Sequence, residues 1–399
     1  MLKQYSNGLS LFIFTIAILV FSGCKSVAVP KPQPVNVPEK AASRSPAVAQ
    51  TQKAVIGNQM GGARQGITLG LKNSVSTIAG QLGSAGSADG GDTVAAFDAP
   101  KSIATDGVSL FLADSNNHTI RKIDIATGVV STLAGTAGKK GGHDGLGSAA
   151  RFNRPFGMTT DGKNLYVTDS NNHTVRQIDI DTGAVTTLAG KVGEVGYVDG
   201  KGKRARFFIP EGITVYGNNL YVSDTHNHSI RKISLNNHIV STMAGLSGAP
   251  GFFDDIGSNA RFSYPKGITT DGHFLYVADF GNNQIRKIAI KGAEVHTLSG
   301  TVANETNGEE QTEVARFNYP SGITTDGRNL YVADTVNRLI RKIVISSGEV
   351  TTIAGAEEKE ESVDGVGTDA HFRDPVGITT DGYSLFVTDS TDHIVRKIR

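Results

Sequence analysis

The sequence predicts an all-β fold: a six-bladed β-propeller with four strands in each blade. Three observations carry this. A unit of 55 residues is read six times, placing an aspartate at Asp114, Asp169, Asp224, Asp279, Asp334 and Asp389 and an arginine at Arg121, Arg176, Arg231, Arg286, Arg341 and Arg396. Each unit holds four short runs of β-branched and aromatic residues between turn residues, the pattern of antiparallel strands. The phase of the two ends is complementary. The array opens on a lone fourth strand, Val75 to Gly80, and stops after a third strand at Ile398. Six full blades require strand 75–80 to join the C-terminal sheet, which leaves neither terminal sheet incomplete.

Composition agrees with a packed, turn-rich β protein. Of 399 residues, 38% are hydrophobic and 48 are glycine. Lys+Arg is 39 and Asp+Glu is 38, a balance that argues against general polyanion binding, which needs a basic excess. A single cysteine excludes an internal disulfide, a four-cysteine zinc site and a CxxC pair.

Residues 1–23 carry one charge, Lys3, and then the apolar run Leu11 to Phe21. This run is shorter than the ~20 residues that span a bilayer and has the size of a signal-peptide core. Ser22, Gly23 and the sole cysteine, Cys24, follow. The segment resembles a bacterial lipoprotein signal, cut before a cysteine that becomes lipid-modified. Phe21 stands where that family usually has leucine. Lys25 follows where an aspartate usually marks inner-membrane retention, so the resemblance implies the outer membrane, facing periplasm or cell surface. Removing residues 1–23 takes away Lys3 and leaves equal numbers of each charge. Residues 24–66 read as a Pro/Ala/Ser/Gly-rich tether, with four prolines between Val27 and Lys40, a composition that stays extended. Residues 67–399 form the propeller.

In blade two the strands read G-M-T-T, N-L-Y-V-T-D, T-V-R-Q-I-D-I and A-V-T-T-L-A-G, separated by D-G, S-N-N-H and T-G turns. "LYVTDSNNHTVRQI" (Leu165–Ile178), and its counterpart Leu220–Ile233, resemble the NHL-repeat family of propellers. The long connector "DGLGSAARFNRPFGM" (Asp144–Met158) is similar to that of bacterial extracytoplasmic members. The resemblance covers about residues 75–399 and specifies the fold. It does not specify function, because propellers bind, scaffold and catalyse alike.

Strand alternation puts the second-to-third turns and the long connectors on one face, and the short D-G and T-G turns on the other. Several recurring residues read as structural. His118, His173, His228 and His393 share a turn position filled elsewhere by Asn283 and Arg338. The recurring Asp and Arg pair across a hairpin. The connector acids Asp89, Asp144, Asp199, Asp254, Glu309 and Asp364 cap loops, since their spacing matches no calcium loop. Phe97, Phe152, Phe207, Phe262, Phe317 and Phe372 plug the gaps between blades.

Function is expected where the repeat breaks. Connectors 136–152 and 191–207 sum to +2 and +3, while 301–317 and 356–372 sum to −3 and −5, so the face is expected to be dipolar. Lys201, Lys203, Arg204 and Arg206, with Glu211 near the channel mouth, His226, His228 and the exposed-looking Phe253, are the candidate ligand-binding residues. The expected function is non-enzymatic: a monomeric, membrane-anchored module that binds a protein, peptide or envelope polymer through its long-connector face. No nucleic-acid partner, cofactor, metal ligand or catalytic residue is expected. The alternative is a metal-dependent lyase or lactonase-like hydrolase at the channel mouth, of the kind that six-bladed propellers support with inner-strand His, Asp or Glu. Here the inner strands read I-A-T, M-T-T, I-T-V and I-T-T, without those ligands.

Overall fold

A computed structural model describes residues 68–91, 94–300 and 316–399. The signal and tether segments, Cys24 and Glu309 lie outside the described residues. Six antiparallel sheets surround a central axis, each with its first strand innermost. Blade two is representative: Pro155–Thr160, Asn164–Asp169, Thr174–Asp179 and Ala184–Gly190 pair in chain order from the axis outward. The inner strands of neighbouring blades pack on one another around the whole ring.

The ring closes as the phase of the repeat requires. Ser74–Gly80 pairs antiparallel with Ile394–Ile398, matching Val75 to Ile398 and Gly80 to Ile394. The sixth blade is therefore built from both ends of the described chain. The hydrophobic core lies between blades. Phe111 and Ala113 of blade one pack with Leu165, Val167 and Ile178 of blade two. Val75 packs between blades five and six with Tyr331, Ile340, Leu385 and Ile398.

Two sets of glycines make this packing possible. The glycine ending each fourth strand, such as Gly190, has φ of +88° to +100° in all six blades, a region costly for residues with a Cβ. The glycine two residues after each recurring proline serves close approach. A Cβ on Gly212 would lie 1.9 Å from the Lys266 carbonyl oxygen of the next blade. Blade one has Ser102 at this position, and its Oγ accepts a hydrogen bond from Met158 N at 3.2 Å.

The connectors run differently from expectation. Gly145–Leu146 pairs with Val185 and Ala184, at the start of the fourth strand of blade two, and Gly147 N donates to Gly183 O in the short-turn loop. Gly200–Lys201 and Gly365–Val366 do the same in blades three and six. The middle of each of these connectors thus descends along the blade's outer edge. An unpaired outer strand offers free backbone groups, and the connector fills them.

Candidate functional site

The repeated polar residues form a frame. In blades one to four the strand aspartate and arginine pair at 2.6–2.7 Å, both shielded from solvent. The arginine's other nitrogen reaches the connector acid, Asp89, Asp144, Asp199 or Asp254, at 2.6–2.8 Å. Asp364 does so in blade six at 2.9 Å. These acids also accept from a fourth-strand threonine, as Asp144 does from Thr187 Oγ1 at 2.8 Å. The guanidinium of Arg176 lies 5.1 Å from the Phe152 ring centre, and the other described blades except blade five repeat that stack. Burial pushes Asp114, Asp169, Asp224 and Asp279 up to about 6, against the pull of the arginine. In blades one to four and six the connector acids and phenylalanines thereby hold the connector on its blade.

The turn histidines clasp neighbouring blades. Nδ1 of His118, His173, His228 and His393 accepts the backbone N–H of Arg154, Ile209, Tyr264 and Ala99 at 3.0–3.2 Å. Asn283 accepts likewise from Tyr319 through Oδ1 at 2.8 Å. Each acceptor residue is left-handed, a conformation in which His and Asn are enriched. The five donors, each just before a proline, are also left-handed, with φ of +47° to +53°. The junction of blades five and six departs from this: Arg338 fills the turn position in blade five, and Asp374 N of blade six donates to Asp389 Oδ1 instead.

Only neutral imidazole can accept through Nδ1. Burial holds His118, His173 and His228 below the ordinary histidine value, with Arg154 adding to this for His118 and His226 for the other two. A depressed histidine pKa means that the unfolded chain binds the proton first. The clasp's contribution is therefore full above about 6.5 and lost as pH falls toward the folded value. Replacing these three histidines by asparagine, as at Asn283, keeps the acceptor at every pH. Wild type is expected to lose about 0.5–1.5 kcal/mol per clasp relative to this triple variant between pH 7.5 and 5, in parallel urea titrations. The buried aspartates, whose raised pKa values give the opposite slope, cancel in that difference. Parallel profiles would refute the clasp.

The repeat breaks at the channel mouth. The residue after each recurring proline is Lys101, Phe156, Glu211, Lys266, Ser321 or Val376, five different side chains, with lysine used twice, at one structural position. Lys101, Phe156, Glu211, Ser321 and Val376 line a channel cavity of about 60 Å³. Lys266 Nζ lies 3.5 Å from Glu211 Oε2 and 3.8 Å from the Phe280 ring centre. Lys101 Nζ lies 3.8 Å from Asp374. Aromatic residues gather on the blade-three to blade-five side. His226 meets Phe208 and Tyr264 at 5.0 and 5.3 Å between ring centres, and Phe280 meets Tyr319 at 4.7 Å.

The structure separates the candidate residues into four places. Glu211 is at the mouth. His226 lies in the aromatic arc, and His228 both clasps Tyr264 and packs on its ring at 4.5 Å. Lys201, Lys203 and Arg204 sit on the outer rim of blade three, where Gly202 N donates to His238 O near the short turns. Arg206 is half-buried and bound to Glu194 at 2.6 Å. Phe253 is exposed and stacked on Phe252, and its carbonyl accepts from Arg286. The basic run and the mouth are therefore separate surfaces. Lys101, Phe156, Lys266 and Phe280 belong to the mouth and were missed. The signal was available in the varied residues, five kinds in six positions, that follow the six prolines. Among the described residues no cluster of three or more His, Cys, Asp or Glu could hold a metal ion.

No protein-family model matches the chain. NHL repeat-containing protein 2 of Gallus gallus is 31% identical over 313 residues, which is 69% of this chain and 43% of that protein. The chain thus spans less than half the length of this curated relative. A structural genomics protein of unknown function from Bacteroides thetaiotaomicron superimposes with a TM-score of 0.60 and 22% identity, covering 82% of this chain and 75% of the other. An auxiliary nutrient binding protein from the same organism superimposes with a TM-score of 0.59 and 16% identity, covering 82% and 76%. At these identities both structures show the fold alone. The register of six repeats, the closed ring and the curated relative together make the described residues an NHL-repeat six-bladed β-propeller.

Proposed function

We propose that the protein is a binding module, lipid-anchored outside the cytoplasm through Cys24, that holds a peptide segment on the face around the channel mouth. One observation carries the reading. Frame residues are kept blade after blade, whereas the six positions after the prolines hold five kinds of side chain. Asymmetry confined to a concave, partly charged centre beside aromatic rings suits recognition. Tyr264 and Tyr319 are exposed beside Phe280 and Lys266, giving planar contact area at low entropic cost.

The described N-terminus is held against the propeller. Leu69 is buried between blades five and six, and its N–H donates to Asp326 Oδ2 in a D-G turn at 3.2 Å. The chain therefore reaches strand Ser74–Gly80 from the short-turn face.

Selection of displayed random peptides on the full chain tests the reading. Tyr264→Ala and Phe280→Ala are expected to weaken selected peptides at least about tenfold, equivalent to 1.4 kcal/mol. Charge reversal at Lys203 and Arg204 is expected to leave binding unchanged. Peptides that ignore the face variants and respond to the rim variants would move the site to the rim.

A further inference from the structure

The channel mouth holds a carboxylate and a lysine in one cavity. Glu211 lines it, with Oε2 closed to solvent and paired with Lys266 Nζ at 3.5 Å. Lys101 lines the same cavity, and its nearest carboxylate, Asp374, is beyond hydrogen-bond distance at 3.8 Å. The charges acting on Lys101 are Asp374, Lys266, Glu211 and Arg154. Burial lowers the Lys101 pKa; Lys266 and Arg154 push the same way, and Asp374 and Glu211 oppose them.

These features select one chemistry. The cavity offers the Lys101 ammonium to an anionic acceptor and the Glu211 carboxylate, already paired with Lys266, to a further donor. Its volume of about 60 Å³ holds a few water molecules at the ~10–15 Å³ that each requires. A carboxylate with its α-carbon fits. Phosphate brings a second charge and no N–H donor. A peptide C-terminus brings a carboxylate and an amide N–H across one Cα, and a side chain beside them. Phe156 lines the cavity, and Lys266 lies between its ring and that of Phe280, at 5.6 and 3.8 Å from the two centres.

We propose that the channel mouth captures the C-terminal residue of a peptide, its carboxylate on Lys101 beside Lys266, its amide N–H on Glu211 and its side chain against Phe156. This deepens the peptide-binding reading and rests on it.

Calorimetric titration of the full chain with N-acetyl-glycyl-phenylalanine, its C-terminal amide and phenyl phosphate tests the proposal. The free acid is expected to bind at least tenfold tighter than either of the other two. Lys101→Met is expected to abolish the difference between acid and amide. Glu211→Gln, which keeps the side-chain shape, is expected to weaken the acid severalfold at a temperature where the variant is fully folded. Equal binding of acid and amide, phenyl phosphate binding as tightly as the acid, or no heat from any of the three would overturn the carboxylate assignment. If displayed peptides still depend on Tyr264 and Phe280 in that event, only this inference fails. If they do not, the peptide-binding reading fails with it.

Discussion

Deleting residues 68–80 is expected to abolish cooperative folding, or to lower the thermal midpoint by tens of degrees. The strand Ser74–Gly80 is the fourth strand of blade six, and its loss uncovers the edge of Ile394–Ile398 and unpairs Gly365–Val366. Leu69 and Val75 leave the core between blades five and six. At ~1.5–3 kcal/mol for each large apolar side chain, these two contribute several kcal/mol, comparable with the 5–15 kcal/mol that separates folded from unfolded domains. Thr77 also releases Asp364, which it binds through N and Oγ1 at 3.1 Å, so the Arg396 network loses its outer partner. Scanning calorimetry of the truncated chain, alone and with a synthetic peptide of residues 68–80, measures the effect. Recovery of a cooperative transition on adding the peptide assigns the loss to ring closure. An unchanged midpoint without the peptide would disprove closure by this strand.

Replacing Arg176 by methionine is expected to cost about 3–5 kcal/mol, the usual penalty for leaving one partner of a buried ion pair behind. Arg176 is fully buried and bridges Asp169 at 2.7 Å and Asp144 at 2.8 Å, and it also donates to the carbonyls of Arg151 and His143. The same replacement at Arg341 is expected to cost less than half as much. That side chain is partly exposed and touches Asp334 only through Nε at 3.2 Å. Urea midpoints at constant m compare the two. The loss at Arg176 also carries a pH signature. Without the guanidinium, burial of Asp169 is opposed only by the hydrogen bonds from Asn153 and Asn172, and its carboxyl rises further above the unfolded value. An acid with a raised folded pKa stabilises the fold at low pH and loses that contribution as pH rises, so the penalty is larger at pH 8 than at pH 5. Equal losses in the two blades would show that the frame does not depend on the buried pair.

The frame was legible because six copies keep one register. A position filled by aspartate, arginine or phenylalanine in every blade has to serve something that every blade does, and the Asp169–Arg176–Asp144 bridge over Phe152 is that shared task. The turn histidines were legible as structural, whereas their partner was not. Ile209 N lies 36 positions from His173 along the chain, and only the stacking of blades brings them together. The path of the connectors was also hidden. Their charge suggested a dipolar face, yet Lys201–Arg204 follow the outer strand to the rim, because an open sheet edge competes for the connector backbone.

The amino-acid sequence by itself determined the number of blades, the strand order within each, the closing strand and the frame that holds connectors to sheets. Each follows from local periodicity and repetition, and both are written in the order of residues. Tertiary structure alone decided which irregular residues share a site. Lys101, Glu211 and Lys266 stand in three different blades, and Phe280 is contributed by a turn outside the inner strands. They meet because close-packed glycines draw the inner strands to the axis, so residues far apart in the chain converge on one small mouth.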